Sequence, residues 1–468
     1  MTEEDRVGRR WEPAEHSGLR VRHAGRFEGQ AKLRRFPGRA SKIWRRHRVE
    51  YTCWRRPSRY AGAETMLFRG RLGDSVYSVS LQPHSLTVGV DEQVVVAWDR
   101  GGRLYSVYRD EHTFRRGLDG RVLEKWQDVD GERRWERLDG QEADGLIDDA
   151  ARLAGRVADA LHGPRWAWLG VPSDDAVAPL PGVLAAAAAF TGARGREDAA
   201  RFASLYRPVG ILPPDQYLAL VLQATEGCSF NTCSFCDLYH EGYRVKTPQE
   251  FARHVADVRA WLGLSLGLRG RAVFLGAANA LAVPMSRLVP IMEALGQAFG
   301  SATPPVSAFV DGFTGTRKTA GDYRHLASLG LRRVYVGLES GHDPLLAFAR
   351  KPGLAADAVE TVRAVKGGGL HVGVIVMTGL GGDRFAEGHV RDTARVLNAM
   401  GLGEGDLLYF SDLVEAPATP YPRLAAEHGI RGLTAPERAA QRQAIRARLV
   451  VEGPGPKLAT YDVREFVY

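Results

Sequence analysis

Gly227-Cys-Ser-Phe-Asn-Thr-Cys-Ser-Phe-Cys236 holds three of the chain's 4 cysteines, at the spacing C-x4-C-x2-C. With so few cysteines in 468 residues, three within nine positions are not explained by core packing, and the spacing predicts three ligands to one metal centre. Thiolates serve both zinc and iron-sulfur clusters, and His240 follows Cys236 where it would complete a zinc site of three cysteines and one histidine. The loop comes directly after an apolar run, Tyr217-Leu-Ala-Leu-Val-Leu-Gln-Ala-Thr225, which reads as a buried parallel strand. Small zinc modules rarely occupy such a strand end. Three thiolates on a four-iron cluster leave one iron open to a substrate group.

Working outward, apolar runs at about 217–225, 272–275, 306–310, 334–338, 371–378 and 407–410 alternate with helical stretches such as Pro248–Leu262 and Met285–Phe299. Six such β/α repeats predict a parallel sheet with right-handed crossovers, curled toward a barrel with its chemistry at the carboxyl ends of the strands. Cys228, Cys233 and Cys236 follow strand one, Gly276–Asn279 follow strand two, Glu339 and Ser340 end strand four, and Gly379–Gly382 end strand five. All would meet on one face.

The cysteine loop, with Phe235 before its last cysteine, resembles the radical S-adenosylmethionine (radical SAM) superfamily, in which three cysteines hold a [4Fe-4S] cluster. The commonest family spacing is C-x3-C-x2-C, so the longer first interval marks a subgroup. Val334-Tyr-Val-Gly-Leu-Glu-Ser-Gly341 is similar to the family's fourth-strand segment, and His371-Val-Gly-Val-Ile-Val-Met-Thr-Gly-Leu-Gly-Gly382 to its fifth. The second-strand Gly-Gly-Glu motif has no carboxylate counterpart in Phe274-Leu-Gly-Ala-Ala-Asn-Ala-Leu281.

The resemblance implies a partial (β/α)6 barrel spanning residues 206–420. It implies that Cys228, Cys233 and Cys236 bind the cluster. Phe235, the backbone of Gly276, Ala277 and Ala278, and Glu339, Ser340, Gly379 and Gly381 would lie against S-adenosylmethionine. The implied reaction is reductive cleavage to a 5′-deoxyadenosyl radical, which takes hydrogen from an unidentified organic substrate. It needs a cluster potential on the order of −400 mV or lower, a small electron donor such as flavodoxin or ferredoxin, and a reducing cytoplasm. Only Cys53 lies outside the loop, so a second, thiolate-bound cluster is not expected.

Composition bounds the remainder. With 44% hydrophobic and 25% charged residues the chain reads as an ordinary soluble protein, and no apolar stretch reaches the roughly 18 residues of a membrane span. Residues 1–60 carry 17 Lys+Arg against 7 Asp+Glu, leaving 46 against 48 in the other 408. That basic segment, with aromatics interleaved around Trp44 and Trp54, suits a solvated tail or a grip on nucleic acid. Residues 61–205 alternate in short stretches split by Gly and Asp turns, predicting a β-rich α+β domain with a helix near Glu142–Leu161. Residues 421–468 read as a C-terminal helical extension. Two other readings stay open: an RNA-modifying radical SAM enzyme, and a zinc-stabilised binding protein with His240 as a ligand.

Overall fold

In Ser75–Leu81, buried Tyr77, Val79 and Leu81 alternate with half-buried residues, and this period of two makes the segment one strand of an antiparallel meander. The computed structural model describes residues 65–161, 163–170, 172–239, 241–451 and 453–468. The basic segment 1–60, with Cys53, and His240, the histidine of the alternative zinc reading, lie outside the described residues.

The N-terminal sheet consists of β1 (Met66–Leu72), β2 (Ser75–Leu81), β3 (Ser85–Val90), β4 (Val94–Asp99), β5 (Leu104–Arg109), β6 (His112–Arg116), β7 (Val122–Gln127), β8 (Arg133–Arg137) and β9 (Trp166–Trp168). They pair in the order β8-β7-β6-β5-β4-β3-β2-β1-β9. Between β5 and β6 the two-residue turn Asp110-Glu111 has both φ angles positive, a hairpin geometry matched to strand twist. One face of the sheet buries Val79, Leu86, Val88 and Trp98 against Leu153, Ala154 and Val157 of the helix Gly140–Leu161 and Leu184 of the helix Leu180–Ala189.

The second sheet is parallel. β10 (Leu220–Gln223) is followed by the short antiparallel pair β11 (Thr225–Glu226) and β12 (Arg244–Val245), then by β13 (Val273–Gly276), β14 (Val306–Asp311), β15 (Leu331–Glu339), β16 (His371–Thr378), β17 (Leu407–Asp412) and β18 (Lys457–Tyr461). The parallel order is β10-β13-β14-β15-β16-β17-β18, so β10 and β18 are the two edges of an open, partial barrel. Six strands coincide with the apolar runs of the sequence. The seventh, β18, lies in the segment expected to be helical: the helices Tyr421–Glu427 and Ala435–Arg446 form there, and the chain then returns to the sheet. Lys457-Leu-Ala-Thr-Tyr461 is five residues long with no clean alternation of burial, so it carries no period-two signal.

Residues 62–468 form one compact unit. Sheet and barrel are joined at buried Asp198, which accepts from Arg103 Nε (2.9 Å), Arg116 Nη2 (3.4 Å) and Trp261 Nε1 (3.0 Å). Arg103 continues to Ser265 Oγ (2.7 Å) and the Trp261 carbonyl (3.0 Å) on the barrel side. At the barrel's edge the Tyr468 hydroxyl accepts from the Val221 N–H (2.6 Å) and donates to the Ala219 carbonyl (3.3 Å), occupying polar groups of β10 and its approach. No single described helix is long and apolar enough to cross a membrane. The bent pair Asp174–Ala189 and Gly192–Leu205 passes by length and composition alone.

Asp198→Ala leaves Arg116 buried without its carboxylate, so it should lower unfolding stability by about 3–5 kcal/mol, measured by urea denaturation. A loss below about 1 kcal/mol, the value of an exposed pair, would remove Asp198 from this role.

Candidate functional site

The cysteine loop is closed at its base by the β11–β12 pair, across which Glu226 accepts from Lys246 Nζ (2.6 Å) and Arg244 Nη1 (3.4 Å). Burial raises the Glu226 pKa, but the two cations outweigh it and hold the carboxylate ionised. Gly227 turns the chain with φ +68°, where a Cβ would stand 2.5 Å from the Glu241 carbonyl oxygen. Farther along, buried Ser234 donates its N–H and hydroxyl to the Ala349 carbonyl (2.9 and 3.1 Å), while its own carbonyl accepts from the Tyr421 N–H (2.9 Å). Phe235 packs on the apolar cluster of Leu345, Ala349, Leu380, Tyr421 and Ala425, which fixes the aromatic expected beside the cofactor.

Cys228, Cys233 and Cys236 are free thiols that keep part of their surface accessible. Burial pushes the Cys233 thiol up, partly opposed by Lys351, and pushes Cys236 up to about 11. Thiols held protonated by burial release their protons readily only to a bound metal, so the donor set fits an iron-sulfur cluster. Among the described residues no three His, Cys, Asp or Glu side chains converge on one metal ion.

Around the loop stand the ends of the next strands. After β13, Gly276, Ala277 and Ala278 lead into the turn Ala280–Ala282, and the Ala277 N–H donates to Thr225 Oγ1 (2.9 Å). Buried Lys318 pins this turn by donating to the Leu281 carbonyl (2.6 Å) and the Val283 carbonyl (2.8 Å). Glu339 ends β15 at φ +58°, where the register with β16 shifts, and its Oε1 accepts from Lys351 Nζ (3.4 Å). Burial lowers the Lys351 pKa, but Glu339, then Cys233 and Asp311, outweigh it and keep the ammonium charged. Cys233, Glu339, Lys351 and Asp311 therefore share one electrostatic neighbourhood at the carboxyl end of the sheet.

The other expected contacts are engaged by the protein itself. Ser340 Oγ is 2.7 Å from His389 Nδ1 and accepts from the His342 N–H (3.0 Å). The Gly379 N–H donates to Gln441 Oε1 (2.8 Å) and the Gly381 N–H to the Tyr421 hydroxyl (2.7 Å), so this glycine turn is braced by the C-terminal helices.

Sequence reasoning placed Asn279 at the end of strand two without a role for its side chain, and it missed Lys351. Buried Asn279 donates from Nδ2 to Ser229 Oγ (2.9 Å) in the cysteine loop and to Asp311, and its Oδ1 accepts from the Asp311 N–H (3.1 Å), tying strand ends two and three to the loop. Lys351 follows the helix Asp343–Phe348, and no local pattern marks it as the partner of Glu339.

Residues 222–395 match the family model described as the Radical SAM superfamily. The chain thus carries a radical SAM domain over these residues, and the cofactors of that superfamily are a [4Fe-4S] cluster and S-adenosylmethionine. Among solved structures it is similar to the cobalamin-dependent S-adenosylmethionine radical enzyme OxsB (12% identity, TM-score 0.34, covering 69% of this chain and 36% of that one). It is also similar to the coproporphyrinogen III oxidase HemN from Escherichia coli (16%, 0.37, 53% and 54%) and to methylornithine synthase PylB (14%, 0.34, 62% and 79%). The match spans about a third of OxsB and about half of HemN. No curated protein matches the chain.

Burial lowers the Lys318 pKa from 10.5 to about 8. Below pH 8 the amine is protonated in both folded and unfolded chain, and the full cost of burying the charge applies. Between pH 8 and 10.5 the unfolded chain binds more protons, so stability contributed at this site should rise with pH. Urea midpoints of wild type minus Lys318→Met, taken from pH 7 to 10, should therefore increase. A flat or falling difference would contradict it.

Proposed function

We propose that this chain is a radical SAM enzyme acting on an organic substrate. The observation that carries the reading is the shared neighbourhood of Cys233, Glu339, Lys351 and Asp311, drawn from four separate points of the chain to the carboxyl end of one parallel sheet. When bound, the cluster and S-adenosylmethionine supply one-electron reductive cleavage to a 5′-deoxyadenosyl radical, which removes a hydrogen atom from substrate.

The protein's share is positioning. Cys228, Cys233 and Cys236 hold the cluster, on a loop whose backbone is clamped through Ser234 and whose Phe235 is packed. Gly276, Ala277 and Ala278 present backbone to the amino group of S-adenosylmethionine, supported by Lys318. Glu339 and Lys351 form a paired carboxylate and ammonium of the kind that receives an amino-acid zwitterion. Ser340, Gly379 and Gly381 shape the pocket from behind, their polar groups being engaged by His389, Gln441 and Tyr421. The reductant is a small protein such as flavodoxin or ferredoxin, in a reducing cytoplasm.

Anaerobic reconstitution with iron and sulfide, then dithionite and S-adenosylmethionine, should give about four irons per chain and release 5′-deoxyadenosine. Cys228→Ala, Cys233→Ala and Cys236→Ala should each lose both, while Cys53→Ala keeps them. One zinc per chain with no deoxyadenosine, or full iron and cleavage in a loop-cysteine variant, would refute the assignment.

A further inference from the structure

The strand that ends in Tyr461 completes the inside of the barrel. Tyr461 of β18 stands opposite Ser411 of β17, which stands opposite Met377 of β16. Residues paired across a parallel ladder point to the same side, and alternate residues of a strand return to it. The rings of Tyr461 and Tyr409 meet edge to face on this side, with centroids 5.7 Å apart. The other side, with Val336, Val374 and Leu408, is buried in the core.

A floor crosses the interior below them. Phe274, Phe309 and Tyr335 pack ring on ring at 5.0 to 5.9 Å, and the hydroxyls of Tyr335 and Tyr409 both donate to Asp215, at 2.6 and 2.8 Å. Above the floor there is room, because Gly337 contributes no side chain, and Phe309, Met377 and Tyr461 keep accessible surface. A Cβ added at Gly337 would stand 2.8 Å from Glu339 Oε1 and 3.7 Å from Lys351 Nζ, so this paired carboxylate and ammonium form one wall of the chamber. Ser411 lies two strand spacings from that wall, roughly 10 Å. The charged side chains at this level are already partnered: Glu339 with Lys351 at 3.4 Å, and Asp311 with Asn279 and with the Thr314 N–H (2.7 Å) and hydroxyl (2.6 Å). Ser411 Oγ, by contrast, is buried and unbonded among the described residues.

We propose that Ser411 and Tyr461 form a specificity site inside the barrel, and that the part of the substrate entering there is uncharged and presents a hydroxyl or carbonyl group to them. An ion in the chamber would lose its hydration without gaining a counterion, since Glu339 and Lys351 are spent on each other. A hydroxyl or carbonyl group supplies the hydrogen bond that Ser411 Oγ lacks. Tyr461 keeps accessible surface where Ser411 does not, so an entering molecule meets its side chain first. Calling the bound molecule the substrate rests on the radical SAM reading; the preference of the chamber for an uncharged group does not.

The test titrates the full wild-type chain with benzyl alcohol, benzoate and benzylammonium, three probes that share a ring and differ in charge, and follows binding by ligand-observed NMR. Benzyl alcohol should bind about tenfold more tightly than either ion. Tyr461→Phe and Ser411→Ala should each weaken it about two- to tenfold, the worth of one hydrogen bond. Melting curves establish that the variants fold, and Ser411→Ala, which removes a single oxygen, carries the test if Tyr461→Phe does not. No binding of benzyl alcohol, an ion bound as tightly, or unchanged affinity in the folded variants overturns the proposal. Binding with this dependence, in a chain that gives neither iron loading nor deoxyadenosine, would remove the radical SAM reading and keep the site. Deoxyadenosine release without such binding would do the reverse.

Discussion

Burial sets itself against charge on the cysteine loop, and the arrangement of the reaction face follows from that opposition. Cys233 and Cys236 are both pushed toward the protonated thiol, and the relief Lys351 offers Cys233 is countered by Glu339 and Asp311. Local electrostatics therefore do not prepare thiolates; the positive charge has to arrive with the metal. What the fold prepares is shape. The positive φ at Gly227, the double donation from Ser234 to Ala349 and the packing of Phe235 fix the loop by means that do not depend on the protonation state of its sulfurs.

That shape is only as firm as the barrel beneath it. A seven-stranded open sheet leaves two edges with unpaired backbone groups, and such edges require cover. Tyr468 meets the requirement at β10 with a side chain, taking the Val221 N–H and giving to the Ala219 carbonyl. The N-terminal sheet is held against the same side through Lys125–Glu465 and the convergence on Asp198. One consequence is that a residue of the first domain, Arg115, reaches the wall of the second.

How much of this was legible in the sequence depends on the range of the signal. The cysteine spacing and the long apolar runs of β15 and β16 are local patterns, and they located the loop, six strands and the face on which strand ends meet. β18 was hidden because five residues without alternating burial cannot be told from loop. Asn279, Asp311 and Lys351 were hidden for another reason. Each acts through a partner 12 to 50 residues away, as in Asn279–Ser229 and Lys351–Glu339, and no periodicity encodes such pairing. Ser340 and Gly381 show the converse, since their motif was visible but their attachment to His389 and Tyr421 was not.

Three cations, each in a different setting, show how the fold balances charge from within. Lys351 is deep in the reaction face, yet Glu339 stands 3.4 Å away, and the pair is neutral before anything binds. Lys318, also buried, spends its charge on two carbonyls of the turn it supports. Arg115 has an aromatic ring beneath it and another guanidinium nearby, while the acid that would have balanced it is engaged by Lys125.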